Sequence, residues 1–327
     1  MILRLCASAS LALAGPAAAR LAEPRAEQVQ AEAPGSTLRD SDYRIGRIVY
    51  RLGSAARAHC PDRFPLTGLL FHHLAEYRPA DRAEAIRRYG LDSGPGILAV
   101  IPDSPAARSG LAAGDVLVSV NGRPFPAPAS VGAEEQSKRW RLRVEAPEIL
   151  LEEQLRLGPV RLEVRRDGRS FPLTLESVPG CPARGRLARS GQANAFADGR
   201  YAIMTTRFLR FFRSDDELAV ALAHELAHNI LRHPQQLEAQ GVPNGILRHI
   251  GRNARLVRAT EEEADRLSVR LLWSAGYDLA AIIPFWRRLY ARPDSQLQII
   301  SAHPSLRMRE RIINEVLAEL APQPRPS

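Results

Sequence analysis

Two histidines and a glutamate stand at a spacing that can hold and use a metal ion, in the stretch His224-Glu225-Leu226-Ala227-His228. Residues four apart share one face of a helix, so His224 and His228 can both reach a single zinc ion. Glu225 is rotated by about one hundred degrees from His224. It can therefore act as the general base on a zinc-activated water that attacks a peptide carbonyl, and return the proton to the leaving amine.

The residues around this motif predict that it lies on a buried helix. Ser214 followed by Glu217 is a capping-box start. Apolar residues fill most of the later positions: Leu218, Val220, Leu222, Leu226, Ile230 and Leu231. Burying three ionisable side chains is costly unless they are paired or hold a metal. The alternative, a surface helix that carries the two histidines by chance, fits these surroundings poorly.

The N-terminus predicts export. Residues 1–19 contain a charged start, a short apolar run and small residues before Ala19, which is typical of a secretory signal peptide. A membrane anchor is the alternative, but a span needs about 20 apolar residues and this run is broken by Pro16. Residues 20–40 are expected to be a disordered leader. The mature chain is therefore expected in the periplasm, without a transmembrane span.

A composition of 45% hydrophobic and 25% charged residues indicates a globular chain, and a length of 327 residues suggests about two domains. The net charge of +9 does not predict nucleic-acid binding, because the arginines are scattered and no basic cluster interleaves with aromatic residues. Cys60 and Cys181 remain after signal removal. An even count in an oxidising compartment favours a disulfide between them over two free thiols.

Residues 41–90 are interpreted as an N-terminal helical segment of the catalytic domain. Apolar residues from Ile45 to Ala56 recur with helical spacing, which predicts an amphipathic helix over Ser41–Cys60. His72 and His73 lie farther along this segment. Adjacent histidines cannot share a helical face, so we interpret both as structural or exposed rather than as metal ligands.

Residues 91–178 form a distinct module. Its motifs are Gly94-Pro95-Gly96-Ile97-Leu98-Ala99-Val100-Ile101, Ser104-Pro105-Ala106-Ala107 and Gly114-Asp115-Val116-Leu117. An exposed loop at 126–146, a helix at 147–157 and a hairpin at 160–175 that turns at Asp167-Gly168 are expected to follow. This order resembles a PDZ domain of the bacterial protease-associated type, a small β-sandwich or barrel.

The PDZ resemblance implies a groove for a peptide ligand. Gly94, Gly96 and Ile97 match the loop that holds a peptide C-terminus, and the peptide would add as a strand beside Ile97–Ile101. Pro95 has no N–H to donate, which weakens the case for C-terminal capture. A PDZ domain that only packs against its neighbour is the alternative.

A second resemblance covers the C-terminal part of the chain. Its motifs are Asn194-Ala195-Phe196, Asp216-Glu217-Leu218-Ala219, the stretch from His224 to His228, Glu261-Glu262-Glu263-Ala264-Asp265, Ala275-Gly276-Tyr277-Asp278 and His303-Pro304-Ser305. Together they resemble the HtpX-like and CAAX-prenyl-protease family of zinc metallopeptidases, in its soluble exported branch.

This resemblance implies an α+β fold. A helix-rich gluzincin domain with a small sheet would occupy residues 179–322, with a tail at 323–327 and the PDZ module inserted before it. An edge strand beside the zinc cleft would pair with an extended substrate. The hairpin at 194–206 offers Arg200–Thr205 as that strand. Cys60 and Cys181 would flank the inserted module.

The resemblance also implies a third ligand for one Zn²⁺ per chain. A gluzincin takes a glutamate from a second helix, and the family motif places it at Glu261. Asp265, one helical turn later, could accept the free N–H of a ligand histidine. His303 is a second catalytic candidate, with a turn residue as the alternative. Arg309 is a weaker candidate for stabilising the developing oxyanion.

The sequence thus predicts a periplasmic zinc metalloendopeptidase that cleaves unfolded or damaged envelope proteins in protein quality control. The remaining histidines, His233 and His249, are interpreted as structural. The alternative from another functional class is a PDZ-bearing chaperone or adaptor whose metal site is latent.

Overall fold

The computed structural model describes residues 36–60, 63–126, 138–243, 250–292 and 305–323. The predicted signal peptide, the first part of the predicted leader, His249 and His303 lie outside these residues. From Thr37 onward the chain forms one compact unit.

Ten α-helices and eleven strands lie within the described residues. The helices are α1 (Ser36–Ala55), α2 (Arg82–Tyr89), α3 (Pro105–Arg108), α4 (Lys138–Leu155), α5 (Thr206–Leu209), α6 (Asp215–Ile230), α7 (His233–Ala239), α8 (Gly251–Ser274), α9 (Ile282–Tyr290) and α10 (Leu306–Leu320). The strands are β1 (Phe64–Leu66), β2 (Leu69–His72), β3 (Gly96–Val100), β4 (Val116–Val120), β5 (Arg123–Pro124), β6 (Val160–Arg166), β7 (Arg169–Leu175), β8 (Val178–Gly180), β9 (Gly185–Ala188), β10 (Ala195–Ala197) and β11 (Ala202–Thr205). The predicted α+β class is confirmed.

Helix α6, which carries both histidines of the motif, lies at the centre of the larger core. It packs against α8, α9 and the strands β10 and β11. The predicted cap is present, because the Ser214 hydroxyl accepts a hydrogen bond from the Glu217 N–H at 3.2 Å. The Glu217 carboxylate in turn accepts from the Arg213 N–H at 2.7 Å. A buried helix with a fixed start holds its side chains in one register.

Helix α1 confirms the predicted periodicity and corrects its boundaries. Ile45, Ile48 and Leu52 are fully buried in the same core as α6. The helix begins at Ser36, so part of the predicted leader is helical, and it ends at Ala55. The apolar pattern indicates only the part of a helix that has a buried face, so it did not predict that the mostly polar residues before Ser41 are also helical.

A three-stranded sheet lies beside α6, in the order β10-β11-β9. The predicted hairpin is confirmed: β10 and β11 are antiparallel, with Asp198 and Gly199 between them. The predicted edge strand, Arg200–Thr205, is wrong. Strand β11 is central because β9 pairs with it in parallel on its other side. The edge strand that belongs to the hairpin is therefore β10.

The second sheet has six strands, in the order β2-β3-β4-β6-β7 with β5 paired to β4. The predicted hairpin is confirmed as β6 and β7, with Asp167 and Gly168 in the turn at positive φ. The sheet includes β2, so it starts well before residue 91. Helix α4 begins at Lys138, within the region predicted as an exposed loop.

The predicted peptide-binding role of Gly94, Gly96 and Ile97 is wrong, because β3 has neighbours on both sides. The Ile97 N–H already donates to the Asp115 carbonyl at 2.7 Å. A Cβ on Gly96 would lie 2.4 Å from Nε2 of His72, so close packing explains this glycine. A peptide that adds as a strand needs a terminal strand, which here is β2 or β7.

The predicted disulfide is confirmed. Cys60 and Cys181 are bridged, with their Cα atoms 5.4 Å apart. Beside the bridge, β1 pairs antiparallel with β8. The two ends of the inserted module are therefore held together by a covalent bond and a short ladder.

An ion cluster joins α4 to the three-stranded sheet. We define the α4 ion cluster as Glu145, Glu148, Glu152, Arg184, Arg186, Arg200, Tyr201 and Glu76. Nε of Arg184 donates to Glu152 at 2.7 Å, and Nη2 of Arg186 lies 3.0 Å from Glu148. The Tyr201 hydroxyl also donates to Glu148. Opposite charges from the PDZ-like module and the peptidase side thus meet at this interface.

Candidate metal centre

Three side chains from two neighbouring helices converge in the larger core. Helix α6 supplies His224 and His228, and α8, which packs along it, supplies Glu261. The two Nε2 atoms are 3.2 Å apart. The Glu261 carboxylate lies 3.3 Å from Nε2 of His224 and 3.5 Å from Nε2 of His228. All three side chains are buried.

This arrangement fits a zinc ion. Bonds of about 2.0 to 2.1 Å in tetrahedral geometry put neighbouring ligand atoms about 3.3 to 3.4 Å apart. The three separations between His224, His228 and Glu261 lie around that value. Two imidazoles and one carboxylate also form a donor set that zinc uses in catalytic sites. The residues therefore fit the implied metal.

The three adjacent glutamates of α8 point in different directions, as helical geometry requires. Glu261 is 4% exposed and faces the two histidines. Glu262 is half-buried and Glu263 is exposed. The structure thus brings together the three residues that the sequence predicted as ligands.

A buried ion pair, Asp265 with Arg309, lies next to Nδ1 of His224. Its Nδ1 lies 2.9 Å from Asp265, whose other carboxylate oxygen accepts from Nε of Arg309 at 3.0 Å. The Arg309 guanidinium is fully buried and lies 3.7 Å above the Trp286 ring. Arg309 is thus placed against Asp265 and Glu261, where it balances carboxylate charge.

The carboxylates make this pocket attractive to positive charge. Burial and the charge of Arg309 lower the pKa of His224, but hydrogen bonds to Asp265 and Glu261 outweigh them and raise it to about 9. The pocket therefore stabilises a cation at His224, and a divalent metal is the cation that its donor set fits.

Glu225 is buried on α6 beside His224, with 5% of its surface exposed. His303, the second catalytic candidate, lies outside the described residues. Two residues that the sequence analysis did not predict are placed near the cluster: Trp286, whose ring lies 5.8 Å from that of His224, and Tyr290. Burial raises the pKa of Tyr290, and its charged neighbours include Arg309, Asp265 and Glu261. The amphipathic pattern of α9 could have marked these aromatics as buried, but not as site residues.

His233 contacts a predicted ligand rather than being merely structural. Its Nδ1 lies 2.9 Å from Nδ1 of His228, and its Nε2 lies 3.1 Å from Glu263. Burial lowers the pKa of His233, although the Glu263 carboxylate opposes this shift. Its position five residues after His228 was the available signal in the sequence.

Two stretches of the chain match family models of known proteins. Residues 180–250 match the family model described as peptidase family M48, and residues 96–131 match the PDZ domain model. The chain therefore carries a domain of peptidase family M48 and a PDZ domain.

One curated relative is the mitochondrial metalloendopeptidase OMA1 of Schizosaccharomyces pombe (strain 972 / ATCC 24843). The chain is 29% identical to it over 155 residues, which are 41% of this chain and 46% of that protein. The chain thus matches about half the length of that relative.

Among solved structures, the chain is similar to the PDZ domain of HtrA3 bound to a phage-derived ligand with the sequence FGRWV. The identity is 27%, the match covers 36% of this chain and 87% of that one, and the TM-score is 0.24. Separately, no helix within the described ranges is both long enough and apolar enough to span a membrane.

Proposed function

We propose that this protein is a zinc-dependent metalloendopeptidase. The observation that carries the proposal is the convergence of His224, His228 and Glu261 at ligand spacing, one residue from the buried carboxylate of Glu225. The M48 family domain and the similarity to a metalloendopeptidase support the same reaction class.

Each side chain has a distinct part in the proposed mechanism. His224, His228 and Glu261 would hold the ion, which would polarise the scissile carbonyl and lower the pKa of a bound water. Glu225 accepts the proton of the attacking water and returns it to the leaving amine. Asp265 would accept a hydrogen bond from Nδ1–H of His224, which leaves the lone pair of Nε2 available to the ion.

The substrate would bind as an extended strand on β10. This strand is an edge of the three-stranded sheet and packs against α6. An edge strand offers unpaired backbone groups to a peptide. Phe196, in the middle of β10, is 40% exposed and could contact a substrate side chain.

The PDZ domain would hold a second part of a long substrate. Strand β2 ends the six-stranded sheet, and Leu69 on it shares a hydrophobic cluster with Leu150 and Leu151 of α4. A peptide added to β2 would run between that strand and α4. Leu150→Arg should then weaken peptide binding measured by fluorescence polarisation, and unchanged binding would contradict this placement.

We further propose that the enzyme belongs to the soluble exported HtpX-like branch and acts in the periplasm. The proposal rests on the signal-peptide pattern of residues 1–19. Unfolded or damaged envelope proteins are the proposed substrates, because extended chains suit both the β10 edge and a PDZ groove.

Casein cleavage by purified protein, with and without a chelator, tests the proposed reaction. Chelator-sensitive cleavage is expected, and Glu225→Gln should abolish it while zinc stays bound, because this residue moves protons and does not hold the ion. Zinc loss in Glu225→Gln would show that its role is assigned wrongly. Binding of casein without cleavage by the zinc-loaded wild type would favour the chaperone or adaptor alternative.

A further inference from the structure

The contact between His233 and His228 requires a particular placement of protons. Two ring nitrogens 2.9 Å apart form a hydrogen bond only if one carries a proton and the other offers a lone pair. His228 turns its Nε2 toward His224 and Glu261, where a metal ligand must offer a lone pair. A neutral His228 therefore carries its proton on Nδ1, and this N–H donates a hydrogen bond to Nδ1 of His233.

The outer nitrogen of His233 completes the chain of contacts. Once its Nδ1 accepts, the proton of a neutral His233 resides on Nε2, which donates to Glu263 at 3.1 Å. Glu263 lies on α8 two residues after Glu261. The same helix thus supplies the carboxylate ligand and the carboxylate that ends this hydrogen-bond chain.

The local backbone holds His233 in place. Arg232 adopts a left-handed conformation with φ of 57°, and α7 starts at the next residue. This conformation is uncommon for a residue other than glycine, so the surrounding structure must maintain it. His233 is 1% exposed, and its ring meets that of His228 edge to face at 4.9 Å. The sharp turn after α6 therefore brings a buried imidazole back against the ligand.

We infer that His233 is a positioning residue that fixes the tautomer and the ring orientation of His228 as a metal ligand. This inference rests on the proposed function. Asp265 contacts Nδ1 of His224 in the same way that His233 contacts Nδ1 of His228. Each ligand histidine therefore has its own partner on Nδ1. A metal ligand whose other ring nitrogen is fixed loses less freedom on binding, and removal of such a partner costs about 10 to 100-fold in metal affinity.

The test measures zinc affinity by competition with a chromogenic chelator. His233→Leu removes the acceptor at similar volume and should weaken zinc binding about 10 to 100-fold. His233→Asn places Oδ1 near the former Nδ1 and should recover most of that loss. His59→Leu is the matched control, since His59 contacts Ser274 and is not part of the cluster, and it should leave zinc affinity unchanged.

Two further measurements separate positioning from folding. The cobalt-substituted protein should show an altered visible spectrum in His233→Leu and a spectrum close to wild type in His233→Asn. Urea unfolding of the metal-free proteins reports any loss of fold. Wild-type zinc affinity in His233→Leu, or equal losses of affinity and stability in both His233 variants, would overturn the inference. A wild type that binds no zinc would instead refute the proposed function.

Discussion

The protein contains two buried charged clusters that differ in how their charges are balanced. In the α4 ion cluster, Glu148 contacts Arg186 and Arg200, and Glu152 contacts Arg184 and Arg200. In the metal cluster, the two carboxylates of Glu261 and Asp265 share Arg309, and two imidazoles turn their Nε2 atoms toward each other. The first cluster satisfies its own charges, whereas the second gathers lone pairs around one point.

The difference separates a structural cluster from a candidate active site. Burial of a charge is tolerated when an opposite charge and hydrogen bonds compensate it, as at Glu148. Nitrogen and oxygen lone pairs a little over 3 Å apart repel one another unless a proton or a metal ion lies between them. We therefore expect variants of the metal cluster to change metal binding, and variants of the α4 ion cluster to change stability.

The largest effect is expected for Glu261→Ala. This change removes one of the three ligands, so zinc binding and peptide hydrolysis should both be lost. Zinc stoichiometry and casein cleavage measure the two losses. Glu262→Ala is the matched control, because the neighbouring side chain is half-buried and points elsewhere on α8. Zinc retained in Glu261→Ala and lost in Glu262→Ala would show that the ligand register is off by one residue.

Glu148→Gln should have the next largest effect, on stability alone. Burial raises the pKa of Glu148, but Arg186, Tyr201 and Arg200 outweigh it and hold the pKa below its ordinary value. Loss of the charge removes one ion-pair partner from Arg186 and one from Arg200 in a buried cluster, and we expect unfolding to become easier by about 3 kcal/mol. Urea unfolding measures the loss.

Glu153→Gln, at an exposed position of α4, is the control for Glu148→Gln and should change stability little. Zinc stoichiometry should stay at the wild-type value in both variants. Loss of zinc in Glu148→Gln would contradict the claim that the α4 ion cluster contributes to stability and not to metal binding.

Asp265→Asn should have a smaller effect, and it should fall on metal affinity. Asparagine can keep a hydrogen bond to Nδ1 of His224, but it loses the negative charge that favours a cation nearby. Zinc affinity should fall about 10 to 100-fold. Competition with a chelator measures it, and His59→Leu is again the control. An unchanged affinity would mean that Asp265 serves only to pair with Arg309.

Local spacing explains why much of the metal cluster could be predicted from the sequence. The positions of His224 and His228 four residues apart, and of Glu261 and Asp265 four residues apart, fix which side chains share a helical face. The contact of His233 depends on a left-handed turn at Arg232, which the residue type does not predict.

Strand pairing was harder to predict because its partners are distant in the chain. The hairpins β10–β11 and β6–β7 follow from short turns. The parallel pairing of β9 with β11 and the pairing of β2 with β3 join segments separated by other structure. Those pairings decide which strand is an edge, and so both predicted peptide-binding strands were wrong.

Asp42 interacts with Glu76 and Arg186 of the α4 ion cluster but has a raised pKa, and its replacement should have the smallest effect. Burial, together with repulsion from Glu76, raises the pKa of Asp42 to about 6, although Arg186 and the Leu187 N–H oppose the shift. An acid with a raised pKa binds more protons in the folded state, so its contribution to stability falls as pH rises from about 4 to 6.

Asp42→Asn keeps an oxygen that can accept a hydrogen bond from the Leu187 N–H, and it removes the charge. Its free energy of unfolding should exceed that of wild type by about 1 to 2 kcal/mol at pH 8 and by little at pH 4. Urea unfolding at both pH values measures the difference, with exposed Asp40→Asn as the control. An equal difference at pH 4 and pH 8 would show that Asp42 is compensated like the other carboxylates of the cluster.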